Sequence, residues 1–219
     1  MGVKIVLVDI DRTLFPSLEF SKGARLAALR AMKKEGMQAQ VEKAYGVLMK
    51  VVQKKGPNYH DHLGEMLREL HENDRARLVA AGVAAYHAAK QKIRPFAGAR
   101  GALVRMRKAG LRLYVASEGK AVKQWDKVLR MGVQKYFDGA FISEELGVEK
   151  CAQFYARIVR KLRVRPENVL MIGDNMDRDI EPARKAGLLA VLVDRKARKK
   201  TGQIVRNLRE AADVAISLM

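Results

Sequence analysis

The chain has 219 residues, 48% of them apolar, which is enough for a core and fits one large domain or a domain carrying a smaller insert. No stretch approaches the ~20 apolar residues of a membrane-crossing helix, and the single cysteine, Cys151, excludes an internal disulfide. Lys and Arg number 43 against 24 for Asp and Glu, a formal +19 that favours anionic partners: nucleic acid, acidic surfaces or small phosphorylated molecules. One lone thiol and an N-terminus running straight into a strand make the cytoplasm the expected location. The dense run Arg195-Lys196-Ala197-Arg198-Lys199-Lys200 reads as a solvated surface loop ahead of a nucleic-acid patch.

The first predicted element is Lys4-Ile5-Val6-Leu7-Val8, a near-continuous apolar run of the kind found in a strand buried on both faces. It ends in Asp9-Ile10-Asp11-Arg12-Thr13. Alternation along a strand puts Asp9 and Asp11 on the same side of its C-terminal end. Carboxylates so placed repel unless a cation lies beside them or one keeps its proton. An Asp-rich turn is the plainer alternative.

Pro16 argues against a helix continuing from Leu14-Phe15. Helical spacing starts at Ser21, a capping residue, and runs through Leu26, Leu29 and Met32 to a stop at Gly36. Further stripes follow at Val41–Val52, at Leu63, Met66, Leu67 and Leu70, and at Leu78, Val79, Val83, Tyr86 and Ile93. Residues 16–94 therefore read as an all-helical unit, too long for a loop, inserted between stretches of α/β character.

Beyond Pro95, helices at 99–109, 122–131, 151–162 and 180–186 alternate with strands at 111–116, 139–142, 168–172 and 188–193, with a last short strand at 213–216. That rhythm implies an α/β fold, a doubly wound parallel sheet with a Rossmann-like core built from residues 1–15 and 95–219. In such sheets ligands bind beyond the carboxyl ends of the strands.

Three places there carry chemistry. The second strand ends in Ser117-Glu118-Gly119, whose hydroxyl and following N–H groups suit a phosphate, though Ser117 also suits a helix cap. The fourth runs into Gly173-Asp174-Asn175-Met176-Asp177-Arg178-Asp179. Asp179 can cap the next helix, which leaves Asp174 facing the crevice, where a hard cation such as Mg²⁺ suits its oxygens. Lys150, opening a helix, can neutralise a transferring phosphoryl group.

Taken in order, Asp9-Ile10-Asp11-Arg12-Thr13, Ser117, Lys150 and Gly173-Asp174 with Asp179 resemble the signature of the haloacid dehalogenase superfamily. The resemblance implies a phosphatase in which Asp9 attacks phosphorus to form an aspartyl phosphate and Asp11 is the general acid and base. It implies Mg²⁺ held by Asp9, Asp174 and the carbonyl of Asp11, with Ser117, Glu118 and Lys150 on the phosphoryl oxygens. Thr13, Asn175 and Asp179 fall in supporting positions. Residues 16–94 match the helical cap that the family inserts after its first motif, with Tyr45, Tyr59, His60 and His62 as candidate readers of the substrate. Arg12 departs from the family's usual Gly and Cys151-Ala152-Gln153 from its Pro-Asp-Pro.

The partner expected is a small phosphorylated substrate; nucleic acid stands second and a membrane is not expected. Asp11 argues against a dehalogenase and Thr13 against a phosphomutase. The alternatives kept are a phosphomutase, a nucleic-acid-end phosphatase and a basic nucleic-acid-binding protein with an idle site. Oligomeric state has no signal in the sequence.

Overall fold

The computed structural model describes residues 2–198 and 203–219, so Lys199 and Lys200 of the basic run lie outside the described residues. The chain divides into two compact units, Met1–Ser17 with Arg94–Met219, and Leu18–Ile93. No helix among the described residues is long and apolar enough to cross a membrane.

The first unit opens with β1 (Ile5–Val8), and all of its residues are fully buried. The second unit holds α1 (Ser17–Lys34, its first residue in the first unit), α2 (Val41–Lys55), α3 (His62–Glu69) and α4 (Arg75–Lys90). Helix α1 begins directly after Pro16, ahead of the Ser21 start expected from periodicity. Proline is harmless there, because the first helical turn needs no N–H from the residue before it. Leu29, Met32, Ala44, Leu48, Met66, Leu67 and Leu78 form this unit's core, and Tyr45 packs against it. Asp61 caps α3 by accepting from the Gly64 N–H at 3.1 Å, and His62 Nε2 lies 2.9 Å from the Gly56 carbonyl. Both residues of that His-rich stretch thus have local structural work.

Back in the first unit follow α5 (Ala99–Lys108), β2 (Arg112–Ser117), α6 (Ala121–Met131), β3 (Gly139–Ile142), α7 (Ser143–Leu146) and α8 (Ala152–Leu162). The chain then forms β4 (Val169–Gly173), a π-helical turn (Met176–Ile180), α9 (Glu181–Lys185), β5 (Leu189–Val193), β6 (Ile204–Val205) and α10 (Leu208–Ser217). The segment 213–216, expected as a strand, lies inside α10. Asn207 accepts from the Glu210 N–H at 3.0 Å, and Leu208, Ala211, Ala212 and Ala215 bury one helical face. Cap and spacing outweigh the short apolar run.

The sheet is six-stranded and parallel, in the order β3-β2-β1-β4-β5-β6. Ile5 and Leu7 pack with Phe154, Tyr155, Ile158, Val169 and Met171, while Val6 and Val8 are as fully buried on the alternate positions. Both faces are therefore covered, as the unbroken apolar run requires. Val8 lies in register with Val115 of β2 and Ile172 of β4. Strand order reverses between β1 and β4, so a crevice opens at the carboxyl ends of these central strands.

Candidate active site

The deepest part of the crevice is an ion triad. Lys150 Nζ donates to Asp9 Oδ1 at 2.7 Å and also to Asp179 Oδ1, and all three residues are buried. Burial works against the Lys150 ammonium, but Asp9 and Asp179 override it and hold its pKa well above the ordinary value. Burial pushes Asp9 up to about 7, against the pull of Lys150. Asp179 reaches this depth because of the π-turn: the N–H groups of Asp179 and Ile180 both bond the Asn175 carbonyl, at 2.8 and 3.2 Å. Its second oxygen accepts from the Asn175 N–H at 3.0 Å. Its carboxylate also fills the space a side chain at Gly173 would need, which accounts for glycine there. The capping role expected of Asp179 belongs instead to Asn175, whose Oδ1 accepts from the N–H groups of Asp177 and Arg178 at 3.0 and 3.2 Å.

Asp174 stands beside this triad, and burial raises its carboxyl to about 6 against the pull of Arg12. Arg12 Nε lies 2.7 Å from Asp174 Oδ2. Asp9, Asp174 and Asp179 each offer an oxygen, all within 4.8 Å of one another. Three crowded carboxylates, two of them made reluctant to ionise by burial, fit a hard divalent cation. The two oxygens of Asp179 already have Lys150 and Asn175, so Asp9 and Asp174 are the better-placed donors.

Asp11 does not join that group. Its carboxylate takes both oxygens to Lys127 Nζ, at 2.8 and 2.6 Å. Neither Lys127 nor Gln124, which accepts from Lys127 at 3.2 Å, was anticipated from the sequence. A signal existed: Gln124 occupies the buried stripe of α6 together with Val128 and Met131, where an apolar residue belongs.

Ser117 is buried at the end of β2. The Gly119 N–H that follows is engaged by Ser143 Oγ at 2.9 Å, and Glu118 Oε1 lies 3.6 Å from Arg178. Thr13 is fully buried with no hydrogen-bond partner for its hydroxyl, while its carbonyl accepts from Arg195 at 3.2 Å. Arg195 also lies 3.4 Å over the Phe96 ring, so this member of the basic run touches the fold while staying exposed, as Lys196 and Arg198 are.

A family model described as haloacid dehalogenase-like hydrolase matches residues 3–187. The chain belongs to this family. It is 37% identical over 197 residues to a glyceraldehyde 3-phosphate phosphatase of Methanopyrus kandleri, covering 88% of this chain and 84% of that one. A glyceraldehyde 3-phosphate phosphatase of Methanocaldococcus jannaschii is 29% identical over 224 residues, covering 99% and 98%. A crystal structure of a haloacid dehalogenase-like family hydrolase from Xanthomonas campestris shares the fold at TM-score 0.71 and 19% identity, covering 99% of this chain and 96% of that one.

Proposed function

We propose that the protein is a Mg²⁺-dependent phosphatase that hydrolyses a small phosphorylated metabolite through an aspartyl phosphate on Asp9. The observation that carries this reading is the buried Asp9–Lys150–Asp179 triad with Asp174 beside it, at the mouth of β1 and β4. Asp9 is the nucleophile: one oxygen is anchored by Lys150, which sets the direction of the other. Lys150 also offers positive charge to the phosphoryl oxygens, with the Ser117 hydroxyl and the Glu118 N–H as further donors. Asp179 and Asn175 are supporting residues, since Asp179 holds Lys150 and Asn175 holds Asp179. Thr13 belongs to the same support, its hydroxyl still to be matched.

Asp11 protonates the bridging oxygen as the ester P–O bond breaks and the bond from Asp9 to phosphorus forms. It then takes a proton from the water that attacks the aspartyl phosphate. Asp9, Asp174 and the Asp11 carbonyl would hold Mg²⁺, which offsets the repulsion between carboxylate and phosphate. Residues 16–94 act as the cap that selects the leaving group. Small metabolites of the cytoplasm are the natural pool, and glyceraldehyde 3-phosphate is the first substrate to try, after the names of the relatives.

The test is phosphate release from a panel of phosphate monoesters, with Mg²⁺ and with chelator. Turnover requires Mg²⁺ and is abolished in Asp9→Asn, and no phosphoenzyme is trapped in that variant. Turnover that persists in Asp9→Asn removes the nucleophile. Salt-sensitive nucleic-acid binding that survives Asp9→Asn, in a protein releasing no phosphate from any ester, would replace the enzyme reading with a binding one.

A further inference from the structure

We propose that Lys127 is a positioning residue that fixes the Asp11 carboxylate for proton transfer; this rests on Asp11 being the acid and base. The motif that carries Asp11 accounts for its identity but says nothing about what holds its side chain. Asp11 lies just past β1 and its side chain is 37% exposed, so without a partner it would sample several rotamers. Lys127 removes that freedom. Its ammonium bridges both carboxylate oxygens, at 2.8 and 2.6 Å, which sets the plane of the carboxylate as well as its direction.

The third ammonium hydrogen goes to Gln124 Oε1 at 3.2 Å, so every donor of Lys127 has an acceptor. Gln124 is itself fixed. It is 5% exposed, and its Nε2 donates to the Glu118 carbonyl at 2.8 Å. Gly119, at φ +122, leaves room for it: a Cβ there would lie 2.9 Å from Gln124 Nε2. A continuous chain therefore runs from the loop after β2 through Gln124 and Lys127 to Asp11. Lys127 and Gln124 lie three apart on α6, the spacing that places side chains on one helical face. A part-exposed ion pair contributes little to stability. The cost of ordering a lysine and a buried glutamine, at a turn only glycine accommodates, points to geometry at Asp11 as the purpose.

The chemical consequence is specific. When Asp11 gives its proton to the ester oxygen it becomes a carboxylate, and Lys127 is already hydrogen-bonded to both oxygens to receive that charge. The benefit should grow with the demand for protonation of the leaving group. Alkyl esters need it, whereas activated aryl esters leave without it.

The experiment compares kcat/KM, which reports the step that expels the leaving group, for a series of phosphate monoesters running from activated aryl to alkyl, in wild type, Asp11→Asn, Lys127→Met, Lys127→Arg, Lys127→Gln and the Asp11→Asn/Lys127→Met double variant. Lys127→Met and Lys127→Gln should lose roughly 10–100-fold in kcat/KM on alkyl esters, the range seen for residues that orient metal ligands, and little on aryl esters. Lys127→Arg should recover part of the loss. In the Asp11→Asn background, Lys127→Met should add nothing further, because residues acting through one another are non-additive.

A loss in kcat/KM equal on all esters, or a full additional loss in the double variant, overturns the role of Lys127. If Asp11→Asn is dependent on leaving group and Lys127→Met and Lys127→Gln are not, only the role of Lys127 falls. If Asp11→Asn is itself independent of the leaving group, Asp11 is not the acid and both readings fall. Misfolding of Lys127→Met alone leaves Lys127→Gln, of similar reach without charge, to give the same answers.

Discussion

Arg12 is a residue of opposed demands. Its backbone is left-handed at φ 64, a conformation that costs an ordinary residue about 1 kcal/mol and glycine almost nothing. Its guanidinium pairs with Asp174, one of the carboxylates assigned to the cation. A cation at Asp174 must therefore compete with Arg12. Arg12→Gly should tighten Mg²⁺ binding by about fivefold, taking up to about 1 kcal/mol for a pair of this exposure. Titration calorimetry on the substrate-free protein reads it directly, and unchanged or weaker binding would show that Arg12 does not compete. The placement of Asp9, Asp11, Asp174 and Lys150 at the carboxyl ends of the sheet was legible in the sequence, because each follows an apolar run that must be a buried strand or opens the helix between two such strands. The positions of Asp179 and Lys127 were not legible. Asp179 depends on a π-turn that changes which way its side chain points, and Lys127 meets Asp11 across 116 residues of chain.

Among the elements, α10 ties the end of the chain to its beginning. Its last turn presents the Leu218 carbonyl to the Val3 N–H at 2.8 Å, at the entry to β1. Its first turn is held by Asn207, and Glu210 in return accepts from the Arg206 N–H at 2.9 Å. Asn207→Ala should cost about 1 kcal/mol of stability and leave kcat unchanged, since the cap touches no site residue. A thermal melt beside an activity assay checks both halves. The Asn-x-x-Glu spacing at 207–210 was available in the sequence, but the short apolar run at 213–216 was read as a strand. Strands β1 and β3 were legible to within a residue because their lengths are set by flanking charged or turn residues. The start of α1 and the two-residue β6 were not, because proline at a helix entry and so short a strand leave almost no periodic signal.

For the whole molecule, the ionisation of the site sets a pH signature. Asp9 and Asp174 titrate in the folded protein at about 7 and about 6, against 3.8 ordinarily. Between these values the folded state holds more protons than the unfolded, so stability from these groups falls as pH rises from about 4 to 7. Lys150, shifted upward, contributes stability that is present across this window and lost only at much higher pH. In chelator, the melting temperature of Asp9→Asn minus that of wild type should therefore rise between pH 5 and pH 8. Added Mg²⁺ should raise the wild-type melting temperature more at pH 8 than at pH 5, because at the lower pH it must displace protons. A gap that widens on acidification would refute the assignment.

The central place of β1 has a further consequence during synthesis. Its strand neighbours, β2 and β4, are translated more than a hundred and more than a hundred and sixty residues later, since Val8 pairs with Val115 and Ile172. Leu18–Ile93 has a core made of its own residues and so can fold as a unit while β1 waits for its partners. Asp9 meets Lys150 and Asp179 only once both have left the ribosome. The nascent chain thus carries Asp9 early in synthesis, yet the Asp9–Lys150–Asp179 triad cannot assemble until the chain through Asp179 has emerged.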